Sequence, residues 1–369
     1  MSSPWPTSLA ISEGLANART GRRLAASVTT VVALVTAGVG LANALDVSAL
    51  VRAEQQWIDA GAFVFVVEPG ASDSAGVDVA ICDRLAAAEG IEASFAVQVT
   101  DATAEPANAP GTRATIARTS PGVYAFLGAT EPPDVGVLVT SDNAARTGLI
   151  DGEATVFTVE THGTGQVSSV DATAVLVDAT VLAESLSGTY LVPTDLTGPS
   201  SQCYVRTDAA HVEPVRDYLG SVLGGDDGAQ AVVRPRLSET AHGIDFATAY
   251  RDRVLGWAWV AGAAVLVLLW SMAQWTRRTR EAIYATFGAR ARARLIIQAT
   301  EWLALSVVGL TWGWGIAMSF AIALGADIHV ALVQVTANAG AIWCVASLGV
   351  LIVGLWPIGT LLDTLKDRS

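Results

Sequence analysis

Residues 254–276 read VLGWAWVAGAAVLVLLWSMAQWT, and residues 277–290 read RRTREAIYATFGAR. The first stretch contains no charged residue, and its 23 residues exceed the roughly 20 that an α-helix needs to cross a bilayer. Arginines are enriched in the cytoplasmic loops of membrane proteins. The two stretches together therefore predict a membrane-spanning helix whose C-terminal end faces the cytoplasm.

Three more apolar runs flank this helix, at residues 24–45, 302–326 and 331–362. The last is longer than a bilayer requires, and we expect its membrane part near residues 337–358. Four spans place every basic cluster on one side, so both chain termini are expected in the cytoplasm. The clustered basic residues are Arg19, Arg22, Arg23, Arg277, Arg278, Arg280, Arg290, Arg292, Arg294, Lys366 and Arg368.

Charge divides the chain in the same way as hydropathy. Residues 46–253 carry 29 acidic residues and 11 arginines, a net charge of −18, whereas the rest of the chain has a net charge of +5. Nine of the eleven tryptophans lie between Trp257 and Trp356, and tryptophan is favoured at membrane interfaces. The acidic part excludes nucleic-acid binding, which needs a basic surface. We expect it to lie outside the cytoplasm.

Two interpretations stay open for the start of the chain. Residues 42–44 read ANA after a basic stretch and an apolar run, as at a signal-peptidase site, but the run is long for a signal peptide. We favour a retained membrane helix. Before it, Leu9, Ile11 and Leu15 recur at roughly helical spacing, which suggests an amphipathic helix on the inner leaflet; the alternative is an unstructured tail.

The acidic part has the pattern of an α+β domain. The predicted fold class is a membrane protein with four transmembrane α-helices and an α+β extracytoplasmic domain inserted between spans one and two. Its segments are residues 1–53, an elbow helix and the first span; 54–245, the outer domain; and 246–369, a stalk, spans two to four and a cytoplasmic segment at 277–294. Predicted strands are 62–67, 93–99, 114–118, 135–139, 154–159, 172–177, 190–192, 202–206 and 231–234; predicted helices are 77–90, 141–147 and 211–223; and a loop is predicted at 101–111.

Cys82 and Cys203 both fall in the acidic part, and Cys344 falls in an apolar run. An extracytoplasmic location permits a disulfide between the first two. The alternative is a pair of buried free thiols, because sequence alone does not show that the two sulfur atoms lie close together.

No catalytic constellation stands out in the sequence. The four histidines have no metal-binding spacing, and no phosphate-binding loop or nucleophile elbow occurs. The GGDDG run at 224–228 lacks the alternating oxygen ligands of a calcium loop. We therefore expect no metal, no cofactor and no enzymatic activity in this chain. Glu301 has two interpretations, a helix N-terminal charge favoured by the helix dipole or a carboxylate with a mechanistic role.

Residues 277–290 resemble the cytoplasmic signature of the MacB/FtsX-type ABC transporter permeases. In that family a basic stretch and Arg-Glu precede a short helix that ends in a Leu-Arg-Ala-Leu-Gly-Ala-like sequence. Glu281, Phe287, Gly288 and Ala289 match this pattern, Ile283 and Tyr284 match it loosely, and Thr286 departs from it. Glu301 and Gly309 fit a later glutamate and glycine, residues 13–17 resemble the pre-span segment, and Pro357 with 363–366 resembles the C-terminal end.

The resemblance implies a permease subunit that dimerises with a second copy or a paralogue and couples to a separate pair of ATPase subunits, which would bind ATP and magnesium. It also implies mechanotransmission to the outer domain and a multi-pass location in a bacterial inner membrane. The helix over 280–287 would dock on the ATPase, with Ile283 and Phe287 on one face at i, i+4 spacing. The implied coupling residues are Arg280, Glu281, Ile283, Tyr284, Phe287, Gly288 and Ala289, and Arg277 and Arg278 would hold anionic headgroups.

Other interpretations stay open. The arginines alone would serve as topology anchors. A FtsX-like membrane regulator, whose outer domain activates a cell-wall hydrolase or senses a ligand without export, is the main functional alternative. A membrane-anchored enzyme is a third, which the missing catalytic constellation disfavours. The substrate and the partner of the outer domain are not encoded in any pattern of the sequence.

Overall fold

A computed structural model describes residues 5–70, 76–163, 165–223, 231–238, 241 and 243–355, without the side chains of residues 281, 282 and 285. The chain divides into two compact units. The first comprises Met1–Ala53 and Asp245–Ser369, and the second comprises Glu54–Ile244. Pro357 and residues 363–366, the GGDDG run at 224–228 and the end of the predicted fourth span lie outside the described residues.

The first unit is helical, and four of its helical segments are long and apolar enough to cross a membrane: Arg22–Asp59, Phe246–Thr276, Ala291–Ala323 and Ile328–Gly354. These segments and the domain between the first and second confirm the predicted fold class. The helices of this unit are α1 (Thr7–Thr20), α2 (Arg22–Asp59), α8 (Phe246–Arg251), α9 (Ala258–Thr276), α10 (Arg278–Thr286), α11 (Ala291–Ala323) and α12 (Ile328–Gly354).

Small and aromatic residues hold the long helices together. Trp270 of α9 and Trp302 of α11 meet edge to face at 5.3 Å between ring centroids, inside a cluster that also includes Val28 and Val32 of α2. Gly309 lies against α2 so closely that a Cβ there would be 2.7 Å from the Thr29 carbonyl oxygen. Gly309 and Gly313 therefore act as a small-residue pair that lets two helices approach. Because α2 is part of this core, the packing favours a retained helix over a cleaved signal peptide.

The second unit contains eleven short strands and five helices among its described residues. The helices are α3 (Val79–Arg84), α4 (Gly122–Leu127), α5 (Ser141–Thr147), α6 (Glu184–Ser187) and α7 (Val212–Val222). The strands are β1 (Val64–Glu68), β2 (Val77–Asp78), β3 (Ile91–Pro106), β4 (Ala114–Thr119), β5 (Gly136–Thr140), β6 (Ala154–Thr161), β7 (Gln166–Val177), β8 (Tyr190–Pro193), β9 (Pro199–Ser200), β10 (Gln202–Thr207) and β11 (Val232–Pro235).

Nine of these strands form one sheet in the order β11-β1-β10-β3-β4-β8-β5-β7-β6, and β6 also pairs with β3. This extra pairing closes a ring of six strands, β3-β4-β8-β5-β7-β6. The ring depends on the length of β3, which pairs with β10 through its first half and with β6 through its second half. A register shift between Val99 and Thr103 separates the two halves, as a β-bulge does when it bends a strand.

Two sequence expectations for this domain are wrong. The loop predicted at 101–111 is strand as far as Pro106, because residues 102–106 pair with β6 one after another, and Ala102 and Ala104 line the interior of the ring. Alanine and proline are depleted in strands, so the local composition predicts a loop, and tertiary pairing overrides it. The helix predicted at 77–90 is shorter: Val77 and Asp78 pair with β9, and the Asp78 side chain accepts a hydrogen bond from the Ala80 N–H to start α3.

Cys82 of α3 and Cys203 of β10 form a disulfide, with Cα atoms 6.0 Å apart. Both cysteines are buried in one of the three apolar cores of the described domain, beside Phe65 and Val205. The bond links positions 121 residues apart in the sequence, so it closes a long loop of chain. Cys344, in α12, is free.

Candidate functional site

The short helix α10 follows the second membrane segment after one residue and ends where the sequence predicts. Gly288 adopts φ +82°, a backbone conformation that is unfavourable for residues with a Cβ atom, and it ends the helix. The Phe287 N–H donates to the Ile283 carbonyl at 3.1 Å and the Ala289 N–H donates to the Tyr284 carbonyl at 3.0 Å. The turn buries Ala289 and begins the next helix, α11, two residues later.

One face of α10 is fixed to helix α1 by hydrogen bonds. The Tyr284 hydroxyl donates to Glu13 Oε1 at 2.7 Å, and Asn17 Nδ2 donates to the Tyr284 hydroxyl at 3.1 Å. The Arg280 guanidinium donates to Asn17 Oδ1 at 3.3 Å. Burial raises the pKa of Tyr284, so its hydroxyl keeps the proton that it donates. The helix before the first span and the helix after the second therefore form one polar junction.

Trp5 completes this junction. Its ring meets the Tyr284 ring edge to face at 6.2 Å between centroids, and its Nε1 donates to the Phe287 carbonyl at 3.2 Å. Sequence reasoning missed Trp5, Glu13 and Asn17 as functional residues. Glu13 and Asn17 stand one helical turn apart in an otherwise mostly small and apolar helix, and this spacing is the signal that could have identified them.

Arg277, at the junction of α9 and α10, forms an ion pair with Glu301 of α11. The side chain of Arg277 is 14% exposed and that of Glu301 is 4% exposed. The interpretation of Glu301 as a helix N-terminal charge is wrong, because α11 begins at Ala291 and the helix dipole acts only within the first turn. Glu301 is instead the buried partner of Arg277, the residue that directly precedes α10.

Beside this bonded face, the segment presents two exposed apolar side chains. Ile283 is 47% exposed and Phe287 is 73% exposed. The Arg278 guanidinium lies 5.5 Å from the centroid of the Trp275 ring. The side chain of Glu281 lies outside the described residues. The site therefore has a face bound to its own chain and a face with two exposed apolar side chains that lie one helical turn apart.

The structure brings Arg277, Arg280, Tyr284 and Glu301 into this junction and separates them from Cys82 and Cys203, which belong to the second unit. No group of three or more His, Cys, Asp or Glu residues in the described part of the chain could hold a metal ion.

No protein-family model and no curated protein matches this chain. Among solved structures, the chain is similar to the periplasmic region of MacB from Actinobacillus actinomycetemcomitans, with 10% sequence identity and a TM-score of 0.33. The likeness covers 53% of this chain and 95% of that one. A similarity of this size supports no inference about function.

Proposed function

We propose that this chain is a permease-type subunit of an ABC transporter, and that α10 is the helix through which a separate ATPase subunit moves it. The observation that carries the proposal is that α10 is bound to its own chain and still presents an apolar surface. Tyr284 and Arg280 bind it to α1, whereas Ile283 and Phe287, on an adjacent stripe at its C-terminal end, stay exposed. An exposed pair of this kind suits the rim of a pocket on a partner protein.

The contacts of α10 give a path for movement. A displacement of α10 acts on α1 through Tyr284 and on α11 through the Arg277–Glu301 ion pair. Both routes reach membrane helices, because α2 follows α1 after Gly21 and α11 is itself a candidate span. Packed helices transmit such displacements as discrete rearrangements rather than by bending. The outer domain, inserted between spans one and two, would then change its arrangement with them.

Other subunits of the assembly would supply the ATPase. The sequence has no phosphate-binding loop, so ATP and magnesium would bind to the partner subunits. The permease would work as a dimer in a bacterial inner membrane. Its termini and α10 would face the cytoplasm, and the acidic domain with its disulfide would lie in an oxidising compartment outside.

Copurification tests the proposal directly. Tagged full-length protein, extracted from native membranes, should retain an ATPase subunit. Replacing Phe287 and Ile283 by Asp should abolish that association, because each change places a charge in an apolar contact at a large desolvation cost. Val167→Asp is the matched control: Val167 is an equally exposed apolar residue on β7 of the other unit, and its replacement should leave the association intact.

The two outcomes that contradict the proposal are distinct. Failure of the unmodified protein to retain any ATPase rejects the transporter subunit as a whole. Retention of the ATPase by the Ile283→Asp/Phe287→Asp variant rejects α10 as the docking helix and leaves only the topology role of the arginines.

A further inference from the structure

The six-strand ring of the second unit encloses a cavity of about 430 Å³. Every strand of the ring contributes to its wall, and outside the polar end of β3 the contributing residues alternate along each strand, as side chains on one face do. On β4 they are Ile116 and Arg118, on β6 Phe157, Val159 and Thr161, and on β5 Val137, with Val135 directly before that strand. The cavity is therefore the interior of the ring rather than a groove on its surface.

The size of inward-facing side chains explains why this space exists. Small barrels are normally filled by their own side chains. Here β3, the strand that closes the ring, turns Ala102 and Ala104 towards the inside, where their methyl groups leave room. The cavity continues the apolar core around Phe157 and Tyr190, so its inner end is dry and apolar.

The other end of the cavity is polar and open. Thr100, Asp101, Thr161 and Ser168 line it, together with Arg118. The Thr194 hydroxyl, which also lines the cavity, is buried and has no hydrogen-bond partner. A buried hydroxyl without a partner costs free energy unless another molecule bonds to it. The polar groups thus converge on one mouth of an otherwise apolar space.

We propose that the ring binds an amphiphile with one aliphatic chain and a carboxylate headgroup, the chain inside the ring and the headgroup at Arg118. Ligand cavities in proteins measure roughly 300–1,000 Å³ and combine an apolar lining with a few polar groups. The volume here is near the lower end of that range, which suits a single chain rather than a two-chain lipid. Arg118 is the one basic residue in the wall, and no described residue forms an ion pair with its guanidinium.

Binding of a carboxylate headgroup requires the positive charge of Arg118, because the surrounding domain is acidic and Asp101 lies at the same mouth. A carboxylate would be repelled there without the arginine. The ligand's preference for a carboxylate over an uncharged headgroup must therefore disappear when Arg118 is replaced. This inference does not rest on the coupling role of α10, and the two fail separately.

Photo-crosslinking of the full-length protein in phosphatidylcholine nanodiscs tests the site. The probe is palmitic acid with a diazirine on its chain, and labelled peptides are identified by mass spectrometry. We expect label on ring residues, competed by unlabelled palmitate. Val159→Trp, which fills the cavity, should lose this label, whereas Val156→Trp should keep it. Val156 lies three residues away on the same strand, outside the cavity wall and exposed, so the pair is matched in chemistry and differs in face.

A second arm tests the headgroup with the methyl ester of the same probe. The ester should label the ring less than the acid does, and Arg118→Gln should reduce labelling by the acid to the level of the ester. Arg216→Gln is the control, because Arg216 is an exposed arginine on α7 that does not line the cavity. Equal labelling by acid and ester, or an unchanged preference in Arg118→Gln, overturns the carboxylate assignment.

Any of three results contradicts the cavity as the binding site: label only in the membrane helices, no competition by palmitate, or ring label that persists in Val159→Trp. Thermal unfolding of each variant guards against a misfolded ring. If Val159→Trp unfolds at a lower temperature than Val156→Trp, Ala102→Leu takes its place, since it adds three carbons to the same wall. Label retained by that variant at the unmodified level contradicts the proposal as well.

Discussion

The two units of the chain join segments that are distant in sequence by different means. The helical unit uses single side-chain contacts, such as the buried pair of Arg277 with Glu301 and the partly buried bonds of Tyr284 with Glu13 and Asn17. The sheet domain uses ladders of backbone hydrogen bonds, a disulfide and exposed charges such as Arg113 with Glu105. Membrane helices satisfy their backbones internally and have only side chains with which to bind one another. Single polar residues should therefore matter more in the helical unit.

Removing the buried carboxylate is the strongest test of this difference. Glu301→Ala leaves the Arg277 guanidinium buried without its partner, and breaking a buried ion pair in this way costs about 3–5 kcal/mol. We expect that loss in the free energy of unfolding, measured by equilibrium denaturation in mixed lipid–detergent micelles.

The double variant Arg277→Met/Glu301→Leu separates stability from function. Replacing both members of a buried pair by apolar residues is often neutral or stabilising. We expect it to recover the stability that Glu301→Ala loses; under the proposed function, in which α10 acts on α11 through this ion pair, its ATPase-coupled activity should stay low. If Glu301→Ala is as stable as the unmodified protein, the ion pair is not the element that holds α10 against α11.

The disulfide should carry the next largest effect, in the sheet domain. Replacing Cys82 and Cys203 by Ala frees a loop of more than a hundred residues in the unfolded chain, and loss of a native disulfide typically costs about 2–5 kcal/mol. Chemical denaturation, followed by the β-strand signal in far-ultraviolet circular dichroism, measures the change in the free energy of unfolding. Cys344→Ala is the control, because Cys344 is not bonded and its loss should leave this transition unchanged.

The same contrast explains which features the sequence could predict. The membrane segments and the Gly288 stop follow from local composition, and so could be located. The ring could not be predicted, since its closure depends on the pairing of β3 with β6, more than fifty residues later in the chain. It also depends on an alanine-containing part of β3 whose composition is typical of a loop. For the same reason the sequence leaves two interpretations of Glu301 open: its partner Arg277 lies 24 residues earlier, across a turn. Pairings across long separations are set by packing rather than by local pattern.

Tyr284 offers a smaller test within the helical unit. Tyr284→Phe keeps the ring that packs against Trp5 and removes only the hydroxyl that bonds to Glu13 and Asn17. A lost hydrogen bond of this kind costs about 0.5–1.5 kcal/mol, more when a charged partner is involved. We expect a loss of that order in unfolding free energy and faster amide exchange in α10. Unchanged exchange in α10 would mean that the Trp5 contact and the Arg280–Asn17 hydrogen bond are enough to hold it in place.

The smallest effect should come from the exposed charges at the turn after β3. The Gly111 N–H donates to Glu105 Oε1 at 2.8 Å and Arg113 Nε donates to Oε2 at 3.1 Å, and these bonds lower the pKa of Glu105 from its usual 4.5. A carboxylate with a lowered pKa stabilises the folded state above pH 4.5, and this contribution is lost as the pH falls below that value through the lowered pKa. Because the group is exposed, salt and water screen the interaction, and Glu105→Gln should scarcely change the unfolding temperature at pH 7. As the pH falls below 4.5, the unmodified protein should lose more stability than the variant, so their two unfolding temperatures should converge. Parallel curves of unfolding temperature against pH across this range would show that the ionised carboxylate of Glu105 does not stabilise the turn. The exposed charges of the sheet domain would then contribute even less to stability, relative to the buried pair of Arg277 and Glu301, than we expect.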